Sequence, residues 1–245
     1  MPRLAPALAL AAVAATSLLI SGCGTSEPEA APLTREQARL LAGAQFLNYR
    51  NKGAEFEMEV GVPGTESNFM MKGQMNWAGL VGYGVVTREG APPVQVWWRE
   101  DVVIESNPAL AAVLRAADRP EVYVAHRPNP QANPIDKAAA ILMHLGSRRR
   151  ENALLVRQKN GSAYLGNDDV RGTPTQILRY GEINTFWIDP RSGLMQRFEG
   201  NNSTGKSPQR VDLLTHERQV IYAPQGPVVN EQAAKQLARS YGITP

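Results

Sequence analysis

Cysteine is nearly absent from this sequence, since Cys23 is the single cysteine among 245 residues. A lone cysteine excludes an intramolecular disulfide and any metal site built from several cysteines, so the fold depends on its own core. A large excess of charge of one sign is also missing, with 26 Lys and Arg against 23 Asp and Glu. This near balance is not typical of nucleic-acid-binding proteins, even at a sequence pI of about 9.1, and we predict no nucleic-acid partner.

Catalytic signatures are lacking as well. The chain has no P-loop, no dinucleotide-binding fingerprint and no nucleophile elbow. Its three histidines, His126, His144 and His216, are far apart and show no metal-ligand spacing. The adjacent carboxylates Asp168 and Asp169 lie in a turn-like stretch, where exposure to solvent explains them better than acid–base chemistry. We therefore predict a non-enzymatic protein with no cofactor and no metal site.

The one long apolar run lies at the start of the chain. Arg3 precedes an Ala- and Leu-rich stretch, 4–20, and small residues lead from there to Cys23. This layout is typical of a secretory signal peptide, here 1–22. The final residues, Ile-Ser-Gly-Cys at 20–23, resemble the bacterial lipobox. A plain secretory signal followed by an unmodified cysteine is the alternative.

The lipobox resemblance implies that Cys23 is the lipid-attachment site, with diacylglycerol on its thiol and palmitate-type acyl chains. Two or more acyl chains give a stable membrane anchor, whereas one gives only a marginal anchor. We therefore predict a bacterial lipoprotein on the extracytoplasmic face of the cell membrane. The small, acidic and Pro-containing stretch that follows predicts a flexible tether over 23–33. A single domain is then expected over 34–245.

Two kinds of periodicity alternate along this domain. Apolar residues at helical spacing, with capping residues before them, predict four helices at 34–49, 107–117, 134–145 and 230–242. Alternating patterns predict strands at 54–60, 68–75, 80–88, 93–99, 101–105, 121–126, 152–158, 162–167, 175–180, 184–189, 194–200 and 208–216. The order is a helix, a meander, helices, a second meander and a terminal helix. It predicts an α+β fold, with one curved antiparallel sheet and helices against one face.

The clearest turn signal is Asp-Pro-Arg-Ser-Gly at 189–193. Asp, Pro and Gly occupy the positions that a tight turn favours, so the segment predicts a hairpin between the flanking strands. Gly193 is expected to adopt a positive φ, which residues with a side chain disfavour.

This layout resembles the mycobacterial and actinobacterial LppX/LprAFG lipoproteins, and more distantly the LolA/LolB carriers. The resemblance covers about 40–220 and rests on the overall order together with Trp-Ile-Asp-Pro at 187–190, Gly193-Leu194 and Arg197. It implies a half-open antiparallel barrel with helices packed against the concave face. The cavity of this fold would hold acyl chains of lipids or lipoglycans, which family members carry or present in the envelope. This chain adds the carboxy-terminal helix 230–242.

One apolar face of the predicted sheet is the candidate ligand-binding surface. Alternation places eight cavity-lining candidates on this face: Phe56, Met58, Val60, Phe69, Met71, Met75, Val96 and Trp98. The resemblance implies that the helix 134–145 lies across the open face, which adds Ala138 and Leu142 as candidates. Ala138 is the smallest residue of its stripe, so space for lipid is expected above it. Alternation indicates which side is buried, but not whether protein or lipid fills it. Two hypotheses therefore stay open, a lipid-binding lipoprotein and an interaction or sensor lipoprotein whose filled core supports binding to another envelope protein.

Overall fold

The structure, a computed structural model, describes residues 30–61, 68–200 and 209–243. The predicted signal peptide, Cys23 and most of the predicted tether lie outside these residues. In the described part, the strands are β1 (Gly53–Gly61), β2 (Asn68–Asn76), β3 (Val81–Arg88), β4 (Ala91–Trp98), β5 (Val103–Ser106), β6 (Tyr123–His126), β7 (Ala163–Val170), β8 (Thr173–Tyr180), β9 (Asn184–Ile188), β10 (Met195–Gly200), β11 (Gln209–Leu213) and β12 (Val228–Asn230). The helices are α1 (Arg35–Arg50), α2 (Pro108–Ala116), α3 (Pro134–His144), α4 (Ala153–Gln158) and α5 (Glu231–Ser240).

All these strands form one curved, unclosed sheet, in the order β12-β6-β5-β4-β3-β2-β1-β11-β10-β9-β8-β7. The two predicted meanders, β1 to β6 and β7 to β11, join where β1 pairs with β11. In that antiparallel pair Phe56 lies opposite Leu213 and Met58 opposite Val211. The short edge strand β12 pairs with β6 in parallel. The predicted α+β class, with a half-open antiparallel sheet and helices against its concave face, is confirmed.

The first helix begins as its capping pattern predicts. The Thr34 side chain accepts a hydrogen bond from the Gln37 amide, and the Gln37 side chain accepts one from the Thr34 amide. Before the helix, Ala31 forms a two-way bridge with Tyr164, and Leu33 is buried. Ala31 and Leu33, at the end of the predicted tether 23–33, therefore contact the rest of the described chain.

Helix α3 begins at a capping residue and is attached to the core near its carboxyl end. Its N-cap Asn133 accepts a hydrogen bond from the Ile135 amide. Near its carboxyl end, Asn48 of α1 donates to the Leu145 carbonyl over 2.8 Å, and the Trp77 indole donates to the Leu142 carbonyl over 2.8 Å. Because carbonyls at a helix end lack partners further along the helix, Asn48 satisfies the Leu145 carbonyl, and Trp77 adds a second donor to the Leu142 carbonyl, which also accepts from the Leu145 amide.

One predicted strand is wrong. Residues 152–158 contain the short helix α4 instead of a strand. Asn152 is its N-cap, and the Asn152 side chain accepts a hydrogen bond from the Leu154 amide. Helix α4 packs against α1 with Val156 buried, while Leu154 and Leu155 are 58% and 64% exposed. A short apolar run has no decisive period, so the local cap and the packing of Val156 determined its form.

The carboxy-terminal helix packs away from the main core. Ala238 of α5 joins Leu110 and Leu114 of α2 and Val122 in a small second cluster at the β6–β12 edge. The observed helix matches the predicted one to within two residues at each end. Among the described residues, none of the helices has the length and apolarity needed to cross a membrane.

The hairpin turn between β9 and β10 forms as predicted. The Gly193 amide donates to the Asp189 carbonyl over 2.8 Å, and φ at Gly193 is +74°. The Asp189 carboxylate accepts hydrogen bonds from the Ser192 hydroxyl and the Arg191 amide. Partial burial alone would raise the pKa of Asp189, but these bonds outweigh it and leave the pKa lowered.

We predict that Gly193→Val lowers the free energy of unfolding by about 1–3 kcal/mol, because a side chain is strained at positive φ. A Cβ atom there would also lie 2.9 Å from Leu47 Cδ1. Gly172→Val is the matched control, since Gly172 has φ +82° and no heavy atom within 4 Å of such a Cβ. Denaturant unfolding should show a larger loss at Gly193. Equal losses would contradict a contribution from the contact with Leu47.

Candidate functional site

The ten residues predicted to line a cavity all lie in the main core. Each is at most 1% exposed, and all belong to one cluster formed by the sheet with α1 and α3. Side chains of the protein itself therefore surround them. Ala138, the residue with expected space above it, is fully buried in this cluster. Contact between these ten residues and a ligand stays a prediction.

An open cavity lies beside this core, between α1, α3 and strands β8 to β10. We call it the α1–α3 cavity; its volume is about 300 Å³ and it is lined by Leu41, Gln45, Lys137, Ala140, Ile141, His144, Leu145, Glu151, Tyr180, Asn184, Phe186 and Phe198. Its floor is buried and apolar. There the rings of Phe186 and Phe198 lie 5.2 Å apart, next to Leu41 and Leu145. The open volume borders Ala140, two residues beyond the predicted position at Ala138.

The rim of the α1–α3 cavity is polar and reaches solvent at His144 and Glu151, which are both exposed. Burial raises the pKa of the Tyr180 hydroxyl, and the adjacent Glu151 carboxylate raises it further, so Tyr180 stays protonated at neutral pH. Lys137 and Glu151 give the rim one charge of each sign. An apolar floor beneath such a rim suits an amphipathic molecule with one slender apolar chain.

A second cavity, of about 490 Å³, lies where β3 to β6 meet the start of α3. Glu105, His126 and Asp136 come together beside it, with their ligand-type atoms all within 4.8 Å of one another. Burial raises the pKa of Glu105, His126 lowers it in part, and Asp136 adds to the increase. Sequence reasoning missed this cluster because the three residues belong to β5, β6 and α3. The spacing of His126 to the other histidines carries no signal for a metal site.

The other two histidines and the Asp168–Asp169 pair have hydrogen-bond partners within the protein. His216 is bonded to the Met195 carbonyl over 2.7 Å, and burial lowers its pKa. His144 is exposed and is bonded to the Ala140 carbonyl of its own helix. Asp168 and Asp169 are exposed, as expected, but they lie in β7 and not in a turn. The side chain of Asp168 accepts a hydrogen bond from the Trp187 indole, and that of Asp169 accepts one from the Gly172 amide.

The hairpin motif that carries the family resemblance also stabilises the sheet. The Arg197 guanidinium lies 5.7 Å from the centre of the Trp187 ring and forms a bidentate ion pair with Asp212 of β11. Burial raises the pKa of Asp212, but its hydrogen bonds with Arg197 and Arg210 outweigh burial and leave the pKa lowered. These motif residues support strand pairing and do not line the α1–α3 cavity.

Comparison with known proteins gives matches in structure. The sequence matches no protein-family model and no curated protein sequence. The structure of LprF from Mycobacterium bovis is similar to this one, and the match covers 80% of this chain and 99% of the LprF chain. The sequence identity is 12% and the TM-score is 0.48. The match with the Mycobacterium tuberculosis lipoprotein LppX covers 77% of this chain and 96% of the LppX chain, at 10% identity and a TM-score of 0.47.

A third match is one chain of the Pseudomonas aeruginosa MucA/MucB complex. It covers 78% of the present protein and 62% of that chain, at 11% identity and a TM-score of 0.38. The two mycobacterial matches bear out the LppX/LprAFG-like resemblance predicted from the sequence. At such identities the similarity concerns the fold alone, so function depends on the residues of this chain.

We predict that Ala138→Trp lowers the free energy of unfolding by about 1–3 kcal/mol, because the new ring overpacks a filled core. Ala138 is fully buried, whereas Ala140 borders the α1–α3 cavity on the same helix. Ala140→Trp is therefore the matched control and should change stability much less. Thermal or denaturant unfolding of both variants measures the difference. An unchanged stability of Ala138→Trp would contradict a filled core at this position.

Proposed function

We propose that this protein is an envelope lipoprotein that binds an acyl chain of a lipid or lipoglycan in the α1–α3 cavity and carries or presents it without catalysis. The observation that supports this proposal is the combination of a buried floor of Phe186, Phe198, Leu41 and Leu145 with a polar, solvent-facing rim. An apolar chain would replace water on the floor, while the polar part of the ligand would stay at the rim.

The energetics favour a chain over a compact polar ligand. Each methylene group moved from water into the cavity contributes about 0.8 kcal/mol, and the floor offers it aromatic and aliphatic contacts. A volume of about 300 Å³ lies at the lower end of the range for small-molecule sites. We infer that the cavity takes a single chain, and that ligands with several acyl chains would leave the others outside it.

An interaction or sensor lipoprotein is the second candidate. It is favoured by the filled core and by the exposed Leu154 and Leu155 of α4, two large apolar side chains on one short helix. Such a protein would bind another envelope protein through its surface and hold no lipid. The two candidates differ in what the α1–α3 cavity contains.

We expect Ala140→Trp to abolish lipid binding, or to weaken it at least about ten-fold, because the indole would occupy the volume above the Phe186–Phe198 floor. A chain that starts at Thr25 can be purified without the anchor and measured by native mass spectrometry, before and after addition of a long-chain fatty acid. Ala112→Trp is the matched control, because Ala112 is an exposed alanine of α2 outside this cavity.

Two results would contradict the lipid proposal. In the first, the wild-type protein holds no co-purified lipid and takes up no added fatty acid; together with a captured envelope protein, this would support the second candidate. In the second, Ala140→Trp binds lipid as well as wild type and Ala112→Trp do, which would place the lipid elsewhere in the molecule.

The membrane anchor is a separate part of the proposal, since Cys23 lies outside the described residues. We propose that the chain is cleaved before Cys23 and acylated there, and that the first part of the predicted tether 23–33 links the anchor to the domain. Cys23→Ala should remain as an uncleaved precursor or be released from the membrane, because the acylated atom is gone. Membrane fractionation and labelling with a palmitate analogue test this in cells. Wild-type processing and labelling of Cys23→Ala would contradict lipidation at this residue, and Ser21→Ala serves as a neighbouring control.

A further inference from the structure

The cluster beside the second cavity brings together three side chains that are common metal ligands. His126 Nε2 lies 3.0 Å from Asp136 Oδ1, and the ligand-type atoms of Glu105, His126 and Asp136 are all within 4.8 Å of one another. The side chains of His126 and Asp136 are 16% and 1% exposed. Two donors that each lie about 2.1 Å from a shared tetrahedral zinc ion would be about 3.4 Å apart, so the His126–Asp136 pair would have to open by only a few tenths of an ångström.

A second observation comes from Glu105. Its Oε1 atom is buried and has no hydrogen-bond partner among the described residues. A buried carboxylate oxygen without a partner is rare and calls for an explanation, such as an ion. In contrast, the second oxygen of Asp136 accepts a hydrogen bond from the Asn129 amide over 2.6 Å, which orients this carboxylate.

The charge around the cluster also favours a cation. Arg88 and Glu231, both on the wall of the adjacent cavity, contribute one charge of each sign. Because these two charges cancel, the carboxylates of Glu105 and Asp136 leave the region with a net negative charge. Without a cation between them, the two carboxylates would repel each other. The cavity gives an ion a path from solvent and leaves room for water as a further ligand.

We propose that Glu105, His126 and Asp136 form a binding site for a divalent transition-metal ion of the Zn²⁺ type. An imidazole and two carboxylates offer one nitrogen and several oxygens, a donor set that suits Zn²⁺ better than Mg²⁺ or Ca²⁺, which prefer oxygen ligands alone. The neutral His126 would bind through Nε2, and a rotation of the Glu105 side chain would bring its free oxygen to the ion. Because β5, β6 and α3 each supply one ligand, the ion would cross-link the start of α3 to the sheet.

Metal titration of the full chain, purified in detergent and stripped with a chelator, tests this site. We expect isothermal titration calorimetry to find one Zn²⁺ per chain. At Zn²⁺ about 100-fold above its dissociation constant, the melting temperature should rise by about 5–10 °C, because only the folded protein holds the three ligands together. Co²⁺, which has visible absorption bands, should bind at the same site and be displaced by Zn²⁺.

Variants identify the ligands. Glu105→Gln and His126→Ala should each weaken Zn²⁺ binding at least ten-fold, since even outer partners of metal ligands contribute 10–100-fold. His144→Ala, which removes an exposed histidine of α3, should bind like wild type. Glu105→Gln keeps the size of the side chain, so it decides the matter if His126→Ala fails to fold. The proposal is overturned if wild type shows no stoichiometric binding, or if Glu105→Gln binds Zn²⁺ as tightly as wild type does.

Discussion

The position of α3 is the constraint on which both candidate sites depend. At its carboxyl end, Asn48 and Trp77 donate hydrogen bonds to the Leu145 and Leu142 carbonyls inside the core. Buried carbonyls without partners are costly, so these bonds strongly favour one placement of the helix. The same helix contributes Ala140 to the α1–α3 cavity and Asp136 to the Glu105 cluster. A shift of α3 would therefore change both sites together.

In the described part of the chain, the concave side of the curved sheet is partly filled by side chains and partly open. In the middle of the concave face, large side chains such as Trp98, Phe56 and Met71 are buried in one cluster with residues of α1 and α3. Among the described residues, none of the ten predicted lining residues borders the α1–α3 cavity or the second cavity, and the second cavity mixes charged side chains such as Arg88 and Glu105 with apolar ones. The fold class alone thus does not say where a ligand binds, because side-chain size decides which parts of the concavity are filled.

Local signals predicted most elements well, and the exceptions have a physical reason. The helices α1, α2 and α3 follow capping residues that lie within three positions of the helix start, so a short window of sequence contains their full signal. Alternation identified β1 and β2 because one of their faces is buried and the other is not. Residues 152–158 lacked such a signal: both periods fit, and packing of Val156 against its neighbours formed a helix.

By itself, the sequence determined the α+β class, the helix starts and the apolar face of the sheet, because each depends on residues close together in the chain. The tight turn at Gly193 belongs to the same group. Only the tertiary structure decided that β1 pairs with β11, that the predicted lining residues form a filled core, and that open space borders Ala140. It also brought Glu105, His126 and Asp136 together. These features depend on contacts between distant segments and on the volumes of facing side chains, which no local pattern contains.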